Sequence, residues 1–333
     1  MPRPRTGPAT CPSADVVALG AHTGQQNLTM DELRALWRRL DQTLDWISVW
    51  DHIYEVPPAG GTSPHFESLT SLGALCADTT NARIGCLVFY VGYRNPALLA
   101  KAATTLDHIS GGRFELGLGA GWAEFEATAY GYAFPPLGDR FAMLEEALPM
   151  VRSLFTEAHT THTGAHYRTD AATNLPAPVR GSIPVWVGGT GPKRTPRLAA
   201  AYADGWNVPY VSPATFAALS TRIDEACERI GRDPTTLERS VNVLFHLATD
   251  GRTAADVERD LRTKWASMSD TVDVDEIVGG ALLGAPAEAA AKIDEYVAAG
   301  ADGVNIALRA PIDAEALEAY LTEVVPAVRA AHG

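Results

Sequence analysis

Short apolar runs alternate along this chain with longer segments whose apolar positions recur every three or four residues. The runs read as strands over 16–21, 47–50, 83–90, 114–118, 184–188, 205–208, 240–248 and 303–308. The periodic segments between them read as helices. Thr29-x-x-Glu32 is a capping box, and it opens a helix with apolar positions Leu33, Leu36, Trp37 and Leu40. Helices are further expected over 66–77, 96–110, 140–155, 193–203, 213–230, 254–265, 286–299 and 314–329, with Pro96 at a first helical turn and Gly111-Gly112 closing that helix. Residues 157–182 read as a hairpin with an excursion, and 267–284 as irregular.

Eight strands, each followed by a helix, predict a parallel α/β fold, a (β/α)8 TIM barrel with insertions after strands 4, 5 and 7. The runs are apolar on both faces, as strands buried on two sides should be. A doubly wound sheet would need a Gly-rich turn after its first strand, and none stands there. Residues 1–14, rich in Pro and without an apolar core segment, read as a disordered tail rather than a secretory signal. Residues 15–333 read as a single domain.

Composition narrows the function. The chain has 333 residues, 46% hydrophobic and 20% charged, with a net charge of −13. That balance argues against nucleic acid or an anionic membrane as partner and for a small-molecule substrate. No apolar stretch reaches the length of a membrane span. Cys11, Cys76, Cys86 and Cys227 are scattered and read as free thiols of a cytoplasmic protein. Only four of the basic residues are lysine, a sign of GC-rich coding.

A barrel carries its site at the C-terminal ends of the strands. That rule selects His22 and Gln25, Asp51 and His52, Phe89 and Tyr90, Gly119 to Trp122, Gly188 to Gly191, Asn207 to Tyr210, and His246. The sequence Gly188-Gly189-Thr190-Gly191-Pro192-Lys193-Arg194 leaves a strand and opens a helix, so it combines close backbone approach, unpaired N–H groups and local positive charge. It reads as a phosphate cradle, though not a Walker A loop. Gly119, Ala120 and Gly121 read as backbone near a planar ring, with tight strand-to-loop packing as the competing explanation. His159, His162 and His166 lack a carboxylate partner in sequence, so no metal site is expected.

These stretches carry a resemblance. Val49-Trp50-Asp51-His52, the run from Tyr93 to Lys101, that from Thr105 to Arg113, and Leu116 to Trp122 resemble the luciferase-like flavin and deazaflavin oxidoreductases. So do Gly138 to Phe141, Pro184 to Lys193 and Ala203 to Asn207. The resemblance runs from about residue 16 to 330 and is strongest to the F420-dependent subgroup. It implies F420 as cofactor, with FMN as the alternative. It implies that Asp51 and His52 flank the ring, that Leu87, Val88 and Phe89 form a bulge behind it (often with a non-proline cis peptide), and that Gly188 to Gly191 hold phosphate. His52 would be the acid or base, with His22 in reserve. Substrate would lie among Phe89, Tyr90, Trp122, Tyr210 and His246.

Two departures stand out. Thr43 replaces a glycine before strand two, and Trp122 stands where sugar-phosphate dehydrogenases of the subgroup carry a glutamate, so an apolar substrate is expected. Glu124 and Glu126 follow closely, with their direction open. Three functions remain: hydride transfer with F420, a two-component FMNH2-dependent monooxygenase, and a non-catalytic (deaza)flavin-binding protein. The resemblance also implies a homodimer and a separate F420 or flavin reductase. Residues 266–284 read either as a lid over the mouth or as a plain insertion.

Overall fold

The computed structural model describes residues 16–56, 61, 63–249, 251–268 and 272–332. The expected tail and Cys11 lie outside them. The strands are β1 (Ala18–Thr23), β2 (Trp46–Val49), β3 (Arg83–Tyr90), β4 (Phe114–Gly119), β5 (Thr160–Thr163), β6 (Arg168–Ala172), β7 (Val185–Gly188), β8 (Gly205–Pro209), β9 (Glu238–Leu247), β10 (Leu282–Gly284) and β11 (Gly303–Leu308). Pairing runs β9-β11-β1-β2-β3-β4-β7-β8 and returns from β8 to β9, all parallel, which closes an eight-stranded barrel. The expected architecture holds.

The helices are α1 (Met30–Leu40), α2 (Ser68–Asp78), α3 (Pro96–Ser110), α4 (Glu124–Ala129), α5 (Leu137–Thr156), α6 (Arg194–Tyr202), α7 (Pro213–Arg229), α8 (Ala254–Trp265), α9 (Val274–Gly279), α10 (Pro286–Ala298), α11 (Ala314–Ala319) and α12 (Val325–His332). Local chemistry sets their ends. The Thr29–Glu32 capping box forms in both directions. Asn95 caps α3 ahead of Pro96, and Gly111 ends it in the left-handed region at φ 69°. Leu33, Trp37 and Leu40 are all buried against the barrel, each such side chain contributing roughly 1.5–3 kcal/mol.

The long insertions follow β4 and β9. After β4 come α4, α5 and the antiparallel β5–β6 hairpin. After β9, the segment expected to be irregular holds α9 and the short strand β10, which pairs parallel with β9. The insertion expected after strand 5 is absent: Gly188 ends β7, α6 begins at Arg194, and Gly205 already starts β8. The excursion precedes that strand instead of following it.

The lumen is closed at the bottom. Trp46 and Trp186 lie 4.5 Å apart between ring centroids, fully buried, with Arg83 4.9 Å above the Trp46 ring. Arg83 donates to Glu238 at 2.7 and 2.9 Å and to Glu115 at 3.3 Å, and Trp186 Nε1 donates to Glu115 at 2.7 Å. These residues sit at the N-terminal ends of their strands. The opposite, C-terminal rim is the face on which a barrel presents its chemistry.

Candidate active site

The floor of the mouth is a bulge in β3. The β3–β4 register breaks between Cys86 and Phe89, and the Leu87–Val88 peptide is cis, as the resemblance implied. The bulge shifts the inside–outside alternation by one residue. Leu87 and Val88 both join the lumen cluster with Trp46 and Trp186, while Cys86 and Phe89 join the core that faces the helices. Phe89 is therefore fully buried beneath the Arg94 guanidinium, 5.3 Å from its ring, and does not line the mouth. Tyr90 is likewise packed against Tyr93 and Phe134. Its hydroxyl is buried without a partner.

The glycines of β4 and β7 exist for this bulge. A Cβ at Gly119 would lie 2.5 Å from a Val88 methyl, and one at Gly188 would lie 2.7 and 3.0 Å from the two methyls. Gly121, at φ 71°, backs onto the Tyr90 ring, where a Cβ would approach to 2.4 Å. Ala120 gives its carbonyl to Arg140 Nε at 3.0 Å. Of the two explanations open for the 119–121 stretch, tight packing against neighbouring side chains accounts for the glycines.

His52 follows β2, the strand paired with β3. Its Nδ1 lies 2.7 Å from Glu126 Oε1, and Glu126 Oε2 accepts from the backbone N–H of Ile53 at 2.8 Å and Tyr54 at 3.3 Å. Glu126 is buried, which opposes ionisation, but the His52 bond and the two amides outweigh that and hold its carboxyl below the usual range. The carboxylate therefore favours the tautomer protonated at Nδ1 and leaves Nε2 as the acceptor nitrogen of the neutral ring. Trp122, 58% exposed, meets the His52 ring edge-on at 5.2 Å. Trp50 lies 6.1 Å from His52 on another side and donates through Nε1 to His65 at 2.8 Å.

Asp51, next in sequence to His52, has a different task. It is buried, receives Arg94 Nη1 on both oxygens at 2.8 Å, and accepts from Ser68 Oγ at 2.5 Å and from the Tyr90 amide at 3.0 Å. Burial pushes the carboxyl up, and Arg94, Ser68 and the Tyr90 amide pull against it. Its acceptors are thus used in tying the end of β2 to β3 and the start of α2.

On the far rim, Gly188 to Lys193 lead into α6. Gly189 has φ 135°, and its carbonyl accepts from Trp206 Nε1 at 2.9 Å. No side chain caps α6, and its first turn carries no acidic residue. Gly191 packs near Thr195, where a Cβ would lie 2.7 Å from Oγ1. Thr190 and Lys193 are exposed. Arg194 is held elsewhere: it pairs with Glu145 at 3.1 Å, donates to the Gly138 carbonyl at 2.8 Å and covers the Phe141 ring at 5.3 Å.

The remaining candidates lie around Arg309, a residue that follows β11 and was not singled out in the sequence. Its guanidinium carbon is 5.4 Å from the Trp50 ring, 5.5 Å from Tyr210 and 5.7 Å from Trp265, and Nη2 donates to the Tyr210 hydroxyl at 2.8 Å. Tyr210 is left-handed at φ 55°. His22 is buried against Ser48 Oγ at 2.9 Å; burial, then Arg309 and His52, lower its pKa to about 3. His246 is lowered to about 4 by burial, Lys264, Arg252 and Arg309. His162 turns toward Glu146 on α5, away from the mouth.

Comparison with known proteins identifies the family and the fold. The profile of a family described as luciferase-like monooxygenase matches residues 16–303. An F420-dependent glucose-6-phosphate dehydrogenase from Nakamurella multipartita is 32% identical over 205 residues, 60% of this chain and 59% of the relative. The match thus spans less than two thirds of that relative's length. Among solved structures, an F420-dependent secondary alcohol dehydrogenase in complex with an F420-acetone adduct superposes with a TM-score of 0.81 at 21% identity, covering 94% of this chain and 99% of the other. The EDTA monooxygenase of Chelativorans sp. BNC1 gives a TM-score of 0.78 at 16% identity, covering 95% and 94%. Both likenesses are of fold.

Proposed function

The chain belongs to the luciferase-like monooxygenase family, and from that premise we propose that it is an F420-dependent oxidoreductase acting on a small organic substrate. The observation that carries the reading is the His52–Glu126 pair after β2, the strand paired with the β3 that carries the Val88 bulge. The residues suit a flat ring with a phosphate-bearing tail. Val88 offers an apolar surface kept in place by two glycine contacts, and α6 presents uncapped N–H groups with Lys193 alongside. Bound there, the deazaflavin supplies a hydride donor or acceptor carbon at C5.

The chain's own part is the proton. Glu126 orients His52, and His52 Nε2 gives a proton to the substrate heteroatom, or takes one from it, as hydride moves. At neutral pH His22 carries no extra proton to give, so we assign the transfer to His52 and leave His22 as a neutral hydrogen-bonding neighbour through Ser48. Trp122 and Trp50 border His52 and restrict water. Residues 15–333 act as one unit in this reading, in the cytoplasm, as a homodimer supplied by a separate reductase. None of the described helices is long and apolar enough to cross a membrane.

Titration with F420 and with FMN, each oxidised and reduced, tests the proposal. Tight F420 binding and anaerobic turnover support it. Preference for reduced FMN with oxygen uptake would replace it by a two-component monooxygenase. Cofactor binding with no turnover of any acceptor would reduce the protein to a carrier.

A further inference from the structure

Exposed aromatic side chains are gathered in one place. Among the described residues, the exposed Phe, Trp and Tyr side chains are Trp122, Phe125, Tyr130 and Tyr132, and all four follow β4 within residues 122–132. Apolar residues scattered singly on a surface need no explanation, but a cluster marks a binding surface. Two of the four rest on rings anchored in the fold: Tyr130 meets the half-buried Tyr54 at 5.4 Å, and Tyr132 meets the buried Tyr93 at 4.9 Å. Trp122 and Phe125 are arranged differently. Trp122 meets the His52 ring at 5.2 Å and the Phe125 ring at 6.4 Å. The three rings thus form a line that begins at the proton-transfer residue and runs outward over α4.

The shelf is tied to the site it overlooks. Glu126, the neighbour of Phe125 on α4, is the carboxylate that holds His52 Nδ1 at 2.7 Å and accepts from the Ile53 and Tyr54 amides. The contact that aims His52 therefore also sets the distance from His52 to the shelf. A protein seated on Trp122 would cover His52 and close the mouth, whereas a ligand extending out of the mouth covers both rings and keeps its reacting end inside. We infer that Trp122 and Phe125 are specificity-determining residues, and that the substrate carries, beyond its reacting carbon, a second apolar unit (a biaryl or a medium-length alkyl body) that lies on the two rings. This deepens the hydride-transfer reading and rests on it for which end of the molecule reacts. It also extends the apolar substrate expected from Trp122 to one long enough to reach Phe125.

The test compares ketones that share a head group and differ in length. Acetophenone beside para-acetylbiphenyl, and methyl ethyl ketone beside methyl heptyl ketone, are titrated into the full-length protein, following heat. The longer member of at least one pair should bind about tenfold or more tighter, from partial burial of the added ring or chain. Trp122→Ala and Phe125→Ala should each remove most of that gain, and Trp122→Phe should keep part of it. Ile230→Ala is the control, an equally exposed apolar residue at the C-terminal end of α7, and should leave the gain intact. Melting temperatures check that the variants fold. No gain with length, a gain indifferent to both alanine variants, or a gain that Ile230→Ala removes as well overturns the inference. So does loss of a dimer in Trp122→Ala or Phe125→Ala with the length preference unchanged, which would assign the rings to a second copy of the chain. F420 titrated into the same samples separates the two ideas: F420 binding without length preference sinks the shelf alone, whereas length preference without F420 binding sinks the hydride-transfer reading and leaves the shelf.

Discussion

Gly188→Ala tests the account of the platform. The added Cβ would meet the Val88 methyls at 2.7 and 3.0 Å, where ordinary contact begins near 3.4 Å. Overpacking of this kind costs about 1–3 kcal/mol. The obstacle is a pair of methyl groups, so Val88→Ala should remove most of the penalty. Four proteins suffice: wild type, Gly188→Ala, Val88→Ala and the double variant, each unfolded in urea and each titrated with F420. Gly188→Ala should lower stability within that range and weaken F420 binding, about tenfold for each 1.4 kcal/mol by which the platform is displaced. In the double variant the alanine at 188 should cost about 1 kcal/mol less than it does beside Val88. Gly117→Ala is the contrast. Its Cβ would stand 2.2 Å from the Cys86 carbonyl oxygen, which is backbone, so Val88→Ala should not fully relieve it. Additivity of Gly188→Ala and Val88→Ala within about 0.5 kcal/mol would refute the claim that these glycines make room for the bulge.

Other expectations follow from the same geometry. His52→Ala should lower kcat by about 10²–10⁴-fold while leaving F420 affinity within a few-fold, and unchanged turnover would remove the proton assignment. Glu126→Gln should give a smaller loss of kcat with little change in KM; an effect on KM alone would make Glu126 a binding residue. Asp51→Asn leaves the half-buried Arg94 without its main partner and should cost about 1.5–3 kcal/mol in urea unfolding, with Glu67 at 2.5 Å cushioning the loss. A cost under about 1 kcal/mol would contradict that structural role. Stability should also fall with acid. His22 stays neutral in the fold down to about pH 3 but is protonated from about pH 6.5 in the unfolded chain. Its contribution is therefore level above pH 6.5 and declines as pH drops, by about 2 kcal/mol at pH 5. His22→Gln should flatten that part of the stability–pH curve, and an unaltered slope would show His22 titrating normally.

What the sequence revealed of this molecule is what short-range chemistry determines. The period of the apolar positions marked the barrel strands and most of the helices, and Thr29, Glu32, Asn95 and Gly111 set helix ends through contacts within a few residues. Motif resemblance located the Leu87–Val88 bulge and the Gly188 loop, because each is one continuous stretch. It could not show the consequence of the bulge. One extra residue reverses the alternation, which turns Phe89 from an expected ring contact into core and brings Val88 inward. Nor could it pair His52 with Glu126, 74 residues away, or set Arg309 against Trp50, because closure of the barrel creates those contacts. Both share a cause. Residues at the C-terminal ends of different strands become neighbours only when the sheet closes, so the chemistry of the mouth is a property of the ring of strands. Asp51 and His52 make the point within one dipeptide. Adjacent in sequence and paired in expectation, they point to opposite duties: Asp51 is spent on Arg94, Ser68 and the Tyr90 amide, which fixes the strand end that aims His52 at Glu126. Weakening Asp51 should thus reach catalysis through the placement of His52, and rigidity at the base of the loop is part of how the proton is positioned.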